Sequence, residues 1–189
     1  MGDRSSIGAD GPAVRAASEV WMDEPLKVAP EWSVRHWYNS DHPIALAGLR
    51  GRVVVFCAFQ VLCPQSVAFG VPQVRRIHET FEPKDVAVIG LHATFEHHAA
   101  ITRAVIEAFI QEYRLKFPIA IDAPGDAGPI PLTMERYRMR GTPSLVLIDR
   151  DGMIRKHAFG PIDDLRIGAE IGALVAERAS VALSRDSVA

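Results

Sequence analysis

The chain has 189 residues, 48% of them hydrophobic and 23% charged, with a formal net charge of -2. That is enough apolar material for one globular domain, and the near-neutral balance offers no basic field for a nucleic-acid backbone or an anionic membrane surface, so neither partner is expected. No apolar run approaches the ~20 residues of a membrane span, "MGDRSSIGADGPAVRAASEVW" lacks the pattern of a secretory signal, and two cysteines are too few for a disulfide scaffold, which together point to a cytoplasmic protein.

Residues 1–19, small and polar with Gly8, Gly11 and Pro12, read as a flexible arm. "MGDRSS" also fits the myristoylation pattern, which is too short to carry weight. A single domain is expected over residues 20–182, followed by a frayed tail at 183–189. "EWSVRHWYN", bounded by Pro30 and "NSDHP", reads as a strand and turn. From Arg52 to Phe59 the residues are almost all Val, Phe, Cys and Ala, the composition of a central strand buried on both faces. After Cys63, apolar residues at Val67, Val71, Val74, Ile77 and Phe81 keep helical spacing, with a kink expected at Pro72.

"DVAVIGLHA" is a second buried strand. "HHAAITRAVIEAFIQEYRL" reads as a helix with Ile101, Val105, Ala108 and Ile110 along its buried face, and "FPIAID" as a short third strand. "LTMERYRM" suggests a helix ended by Gly141. "SLVLIDRDGMIRKHAFG" suggests a hairpin turning at Asp151-Gly152, and a last helix is expected from about Pro161 to Ser180, with Asp163 and Asp164 in its first turn. The alternation predicts an α/β fold: a central mixed sheet flanked by helices on both faces.

Two segments carry chemistry. Cys63 stands where a strand ends and a helix begins, with Pro64 at the first helical position, so free N–H groups and the positive end of the helix dipole favour its thiolate. Cys57, inside the apolar run, reads as core. "GLHATFEHHAA" sets His92, Glu96 and His97 at the carboxyl end of a strand, the edge where open sheets bind ligands; these are candidate modulators of the thiol, His92 foremost. Together with Cys63 they form a conceivable metal-ligand set, although helix capping or solvent exposure accounts for His97 and His98 equally well, and the favoured reading includes no metal. His36, His42, His78 and His157 read as ordinary surface or semi-buried histidines.

The buried strand, "CPQS" at a helix start, "GTPS" opening a later strand, and "APEW", "LAGLRGRVVVF" and "LVLIDRDGMI" resemble the thioredoxin-like superfamily, in its redoxin branch that includes the alkyl hydroperoxide reductase and thiol-specific antioxidant (AhpC/TSA) proteins. The likeness runs from Ala29 to Ala176. It implies a thioredoxin-like fold with an extra helix and strand inserted before the cis-proline loop. It implies that Cys63 is the attacking cysteine of a Cys-x-x-Cys motif whose resolving position is Ser66, that Pro143 is the cis-proline, and that Thr142 offers its backbone to a bound substrate, with Pro64 and Gln60 beside it. Where relatives carry a buried acid, this chain has Cys57.

These features imply monothiol exchange: Cys63 attacks a protein or small-molecule disulfide, and an external thiol of the thioredoxin or glutathione type resolves the mixed disulfide, with no organic cofactor. One rival is a one-cysteine peroxidase. Against it, the positions that hold Pro and Thr/Ser in the peroxide-binding motif are Phe56 and Gln60 here. The other rival is a non-catalytic peptide-binding module. Trp21, Trp32 and Phe59 are the aromatic candidates for a groove wall.

Overall fold

The computed structural model describes residues 20–21 and 27–186, with side chains from 27 to 177. The expected arm at 1–19 therefore lies outside the described residues. In chain order come β1 (Val20–Trp21), β2 (Lys27–Val28), β3 (Val34–Tyr38), a 3-10 turn (Leu46–Leu49), β4 (Val53–Phe59), a π-helical turn (Ser66–Gly70) and α1 (Val71–Thr80). Then follow β5 (Val86–His92), α2 (Arg103–Glu112), β6 (Ile119–Asp122), α3 (Leu132–Arg136), β7 (Ser144–Ile148), β8 (Met153–Phe159) and α4 (Asp164–Asp186).

The strands form one mixed sheet in the order β1-β8-β7-β4-β5-β6-β3, with β2 also paired to β8. β4 runs parallel to β5, and β5 to β6, while β7 pairs antiparallel with β4 and β8. Every residue of β4 is buried, which explains its uninterrupted apolar run. Alternate side chains divide between two cores: Val53, Val55, Cys57 and Phe59 join α1, α2 and α4 on one face. Val54, Phe56 and Ala58 join Leu46, Leu49, Met134 and Tyr137 on the other. Helices thus cover both faces, and α2, β6 and α3 form the inserted segment between β5 and β7.

Several boundaries differ from those read in the sequence. The helix expected from His97 is α2 and begins at Arg103, because Thr102 is its N-cap and accepts from the Val105 N–H at 3.3 Å. Its buried residues are Ile106 and Ile110, while Val105 and Ala108 face solvent. α3 ends at Arg136 rather than near Gly141, with its first turn held by Asp122, whose two carboxylate oxygens accept from the N–H groups of Thr133 and Met134. α4 starts at Asp164 because Asp163 caps it, taking the N–H groups of Leu165 and Arg166 at 3.0 Å, and it continues to Asp186, through most of the segment expected as a tail.

The irregularity expected at Pro72 takes the form of the π turn. Proline has no N–H to close a bond to residue 68, and the Val71 N–H reaches back to Ser66 O instead, shifting register just before the proline. The hairpin turns at Gly152, whose φ of +76° is the left-handed backbone that glycine adopts without penalty.

Candidate active site

Cys63 lies at the carboxyl end of the parallel strands. β4 ends at Phe59, the Cys63 N–H donates to Gln60 O at 3.1 Å to close a tight turn, and the Val67 N–H donates to Cys63 O as the first helical bond. Pro64 and Gln65 are already helical. Cys63 is therefore the residue from which the helix springs, and the first-turn N–H groups of Gln65 and Ser66, which have no intrahelical carbonyl to bond, reach its sulfur. The Ser66 N–H lies 3.4 Å from Cys63 Sγ.

A second segment faces this sulfur. The Thr142–Pro143 peptide is cis, and Thr142 O accepts from Cys63 Sγ at 3.2 Å. Ser144 Oγ donates to Gly141 O at 2.7 Å, and the Gly160 N–H donates to Pro143 O at 2.9 Å, so the loop is fixed from both hairpin strands. Gly70 completes the contact. A Cβ there would fall 2.7 Å from Pro143 Cβ, so only glycine lets the helix approach the loop this closely.

The electrostatics of the sulfur are a contest. Partial burial alone raises the thiol pKa, but hydrogen bonds from the side chains of Ser66 and Thr142 and from the N–H groups of Ser66 and Gln65 outweigh it, leaving Cys63 below its ordinary value. Thr142 Oγ1 is buried and has no partner while the sulfur is protonated and donating to Thr142 O. On ionisation the sulfur becomes an acceptor, and this idle hydroxyl can turn its proton to it. Ser66 is fully buried; its Oγ accepts from the Gln60 N–H at 3.4 Å, which leaves its own proton for the sulfur. Cys57 is different in kind. It is buried in β4, and desolvation pushes its thiol up to about 12.

Other sequence candidates take supporting positions. Gln60 is 2% exposed, and its Nε2 donates to Glu96 O at 2.9 Å, so it braces the loop after β5 rather than facing a substrate. His92 ends β5 beside Phe59 and is fully buried. Its Nε2 accepts from the Val61 N–H at 3.3 Å, which leaves the ring proton on Nδ1, 3.4 Å from Thr94 Oγ1. Burial first, and then the positive field of Arg35, push its pKa down to about 4, so near pH 7 it is a neutral brace of the Cys63 loop.

Glu96 and His97 are exposed, and no hydrogen bond joins them or His92 to Cys63; the position His97 holds, with a φ of 54°, is a turn that takes the N–H groups of Ala100 and Ile101. Among the described residues no three His, Cys, Asp or Glu side chains converge to hold a metal. Trp32 and Phe59, candidate groove walls, are buried core residues, and the side chain of Trp21 lies outside the described residues. Pro64 does reach solvent next to Cys63 in the chain, and so do two apolar residues near it in sequence that the sequence reading passed over, Leu62 (47% exposed) and Phe69 (53%). Their signal was an exposed apolar side chain close to Cys63 in sequence, Leu62 in the turn before it and Phe69 in the π turn after it.

The chain matches the AhpC/TSA family over residues 25–157. It is similar to the crystal structure of a thioredoxin-like superfamily protein, at 50% identity, covering 79% of this chain and 96% of that one with a TM-score of 0.77. It is similar to a thiol-disulfide isomerase from Corynebacterium glutamicum, at 44% identity, 79% and 97% coverage and a TM-score of 0.75. A secreted Mycobacterium tuberculosis disulfide oxidoreductase shares the fold at 18% identity, 78% and 97% coverage and a TM-score of 0.57. No curated protein matches the chain. The protein belongs to the AhpC/TSA family and has the thioredoxin-like fold of that oxidoreductase family.

Proposed function

We propose that the protein catalyses thiol-disulfide exchange through Cys63 alone. The observation that carries this reading is the placement of a single half-buried sulfur, its pKa lowered by the first-turn donors and by Thr142, against the cis-proline loop. The similarity to an isomerase at 44% identity supports the same class.

The Cys63 thiolate attacks one sulfur of a substrate disulfide. A bond forms between Cys63 Sγ and that sulfur, the substrate's S–S bond breaks, and the departing sulfur leaves as a thiolate that takes a proton from solvent. An outside thiolate then attacks the mixed disulfide and restores Cys63, so one disulfide is consumed and one formed. When the attacking thiolate belongs to the same substrate, the net result is isomerisation. Ser66 has no sulfur to offer and acts by stabilising the thiolate. A reducing compartment such as the cytoplasm would supply that outside thiol.

Peroxidase chemistry is less well served. Phe56 is packed in the core, and Gln60 has its amide committed to Glu96 O, so neither offers a hydroxyl to orient a peroxide. To test the proposal, maleimide reaction of Cys63 is followed across pH, and a scrambled disulfide protein is incubated with the enzyme and glutathione. The expected result is an inflection below ~8.5 and recovery of native pairing that Cys63→Ala abolishes. An inflection at or above that value, or recovery unaffected by Cys63→Ala, refutes it.

A further inference from the structure

The end of the sheet remote from Cys63 holds a cavity of about 370 Å³ that the exchange reaction does not use. Its floor is the edge of β5 from Val86 to Ile89, and Pro118 closes it toward β6. The edge is open because β6 is short: it pairs only with Gly90, Leu91 and His92. The Gly90 N–H donates to Pro118 O, and the two-residue alternation of a strand turns the N–H and C=O of Val88 toward the same side, where no strand stands among the described residues.

Ile44, Gly48 and Leu49 form one wall, and His78 and Pro83 line the cavity from the side of α1. The lining is mostly apolar and contains no carboxylate. It does contain Arg52, whose guanidinium makes one long hydrogen bond, 3.4 Å to Pro83 O, and pairs with no acid among the described residues. A concave apolar site with a few convergent polar groups is the usual form of a small-molecule site. Here the convergent groups are an unpaired cation, an imidazole and a strand-edge N–H.

We infer that this cavity binds a small monocarboxylate with an apolar body, its carboxylate directed to Arg52 and its hydrocarbon laid along the open β5 edge from Val86 to Ile89. The inference is independent of the chemistry at Cys63. A Cβ added at Gly48 meets nothing within 4 Å, so the wall can be thickened without disturbing its neighbours.

The test is an amide-resolved NMR titration of the full chain with hexanoate and with hexan-1-ol. Hexanoate is expected to move the amides of Gly48, Arg52 and Val88 in a saturable way, to leave Ser66 and Thr142 in place, and to bind about 5-fold more tightly than the alcohol, equivalent to ~1 kcal/mol for an exposed charge contact. Arg52→Gln should bring the two ligands to equal affinity, and Gly48→Leu should abolish binding of both, with the amides around Cys63 unchanged as the control for folding. If Gly48→Leu misfolds, Gly48→Val serves in its place. No saturable shift at Gly48 and Val88, hexanoate binding no tighter than hexan-1-ol, or a preference that survives Arg52→Gln overturns the inference.

Discussion

The buried imidazole of His92 makes the stability of the fold depend on pH between its unfolded and folded pKa values. In the unfolded chain the ring titrates near 6.5; in the folded protein its pKa is pushed down to about 4. Between those values the unfolded state binds more protons than the folded one, so stability rises with pH across the window and is lost as pH falls through it. At 1.36 kcal/mol per pH unit, the interval from 6.5 to about 4 bounds the effect at ~3 kcal/mol. The structural cause is specific: a protonated Nε2 can no longer accept from the Val61 N–H, and the charge is sealed against Phe59. Urea unfolding of the wild type and of His92→Gln, measured from pH 4 to pH 7.5, isolates this term as the difference between the two slopes. Gln keeps an acceptor for Val61 but cannot titrate. The wild type is expected to lose up to ~3 kcal/mol more than the variant on acidification. Parallel curves for the two proteins would refute the reasoning, because the dependence would then belong to other groups.

Three further outcomes are expected at the thiol. Ser66→Ala removes a hydroxyl that lowers the Cys63 pKa and should slow maleimide reaction of Cys63 at pH 7 about 5-fold, the worth of one hydrogen bond at ~1 kcal/mol, whereas an unchanged rate would show that the remaining donors suffice. Gly70→Ala drives a methyl to 2.7 Å from Pro143 Cβ, and it should cost roughly 1–3 kcal/mol in urea unfolding together with a slower exchange rate; full stability and rate would mean that the loop is free to shift. Cys57, with its thiol pushed up to about 12 and 2% exposed, should resist the reagent in the native protein and react only on unfolding, which mass spectrometry of partly labelled protein would show.

The sequence spoke most clearly where one physical constraint acted alone. β4 and β5 were legible because a strand buried on both faces admits little but apolar residues, and the Cys63-Pro64 junction was legible because a proline tolerates the first helical position. α2 misled because Val105 and Ala108 are apolar yet outward-facing, and the stripe that turns inward, Ile106 and Ile110, is chosen by packing against the sheet. Gln60 and His92 misled for a related reason. A polar residue past a strand end suggests a functional surface, but both are buried with partners from segments distant in sequence, Glu96 for one and Val61 for the other. Such pairings depend on how β4 and β5 lie side by side, which no local pattern encodes. Leu62 and Phe69 were overlooked because an exposed apolar side chain is ordinary on any surface.

The same geometry explains how a site without a second thiol remains suited to chemistry. In the protonated state the sulfur donates to Thr142 O, a contact that favours the thiol, while Thr142 Oγ1 stands unpaired. In the ionised state that hydroxyl gains a partner, and the Ser66 hydroxyl, with one lone pair engaged by the Gln60 N–H, has its proton to give. The donors thus act on the charged form, and they act equally on the sulfur when it is the leaving group. An external thiolate that attacks a mixed disulfide on Cys63 expels the substrate sulfur or Cys63 itself, and the better stabilised of the two leaves faster. Under the exchange proposed above, lowering the Cys63 pKa therefore hastens release as well as attack, with no second thiol needed at position 66.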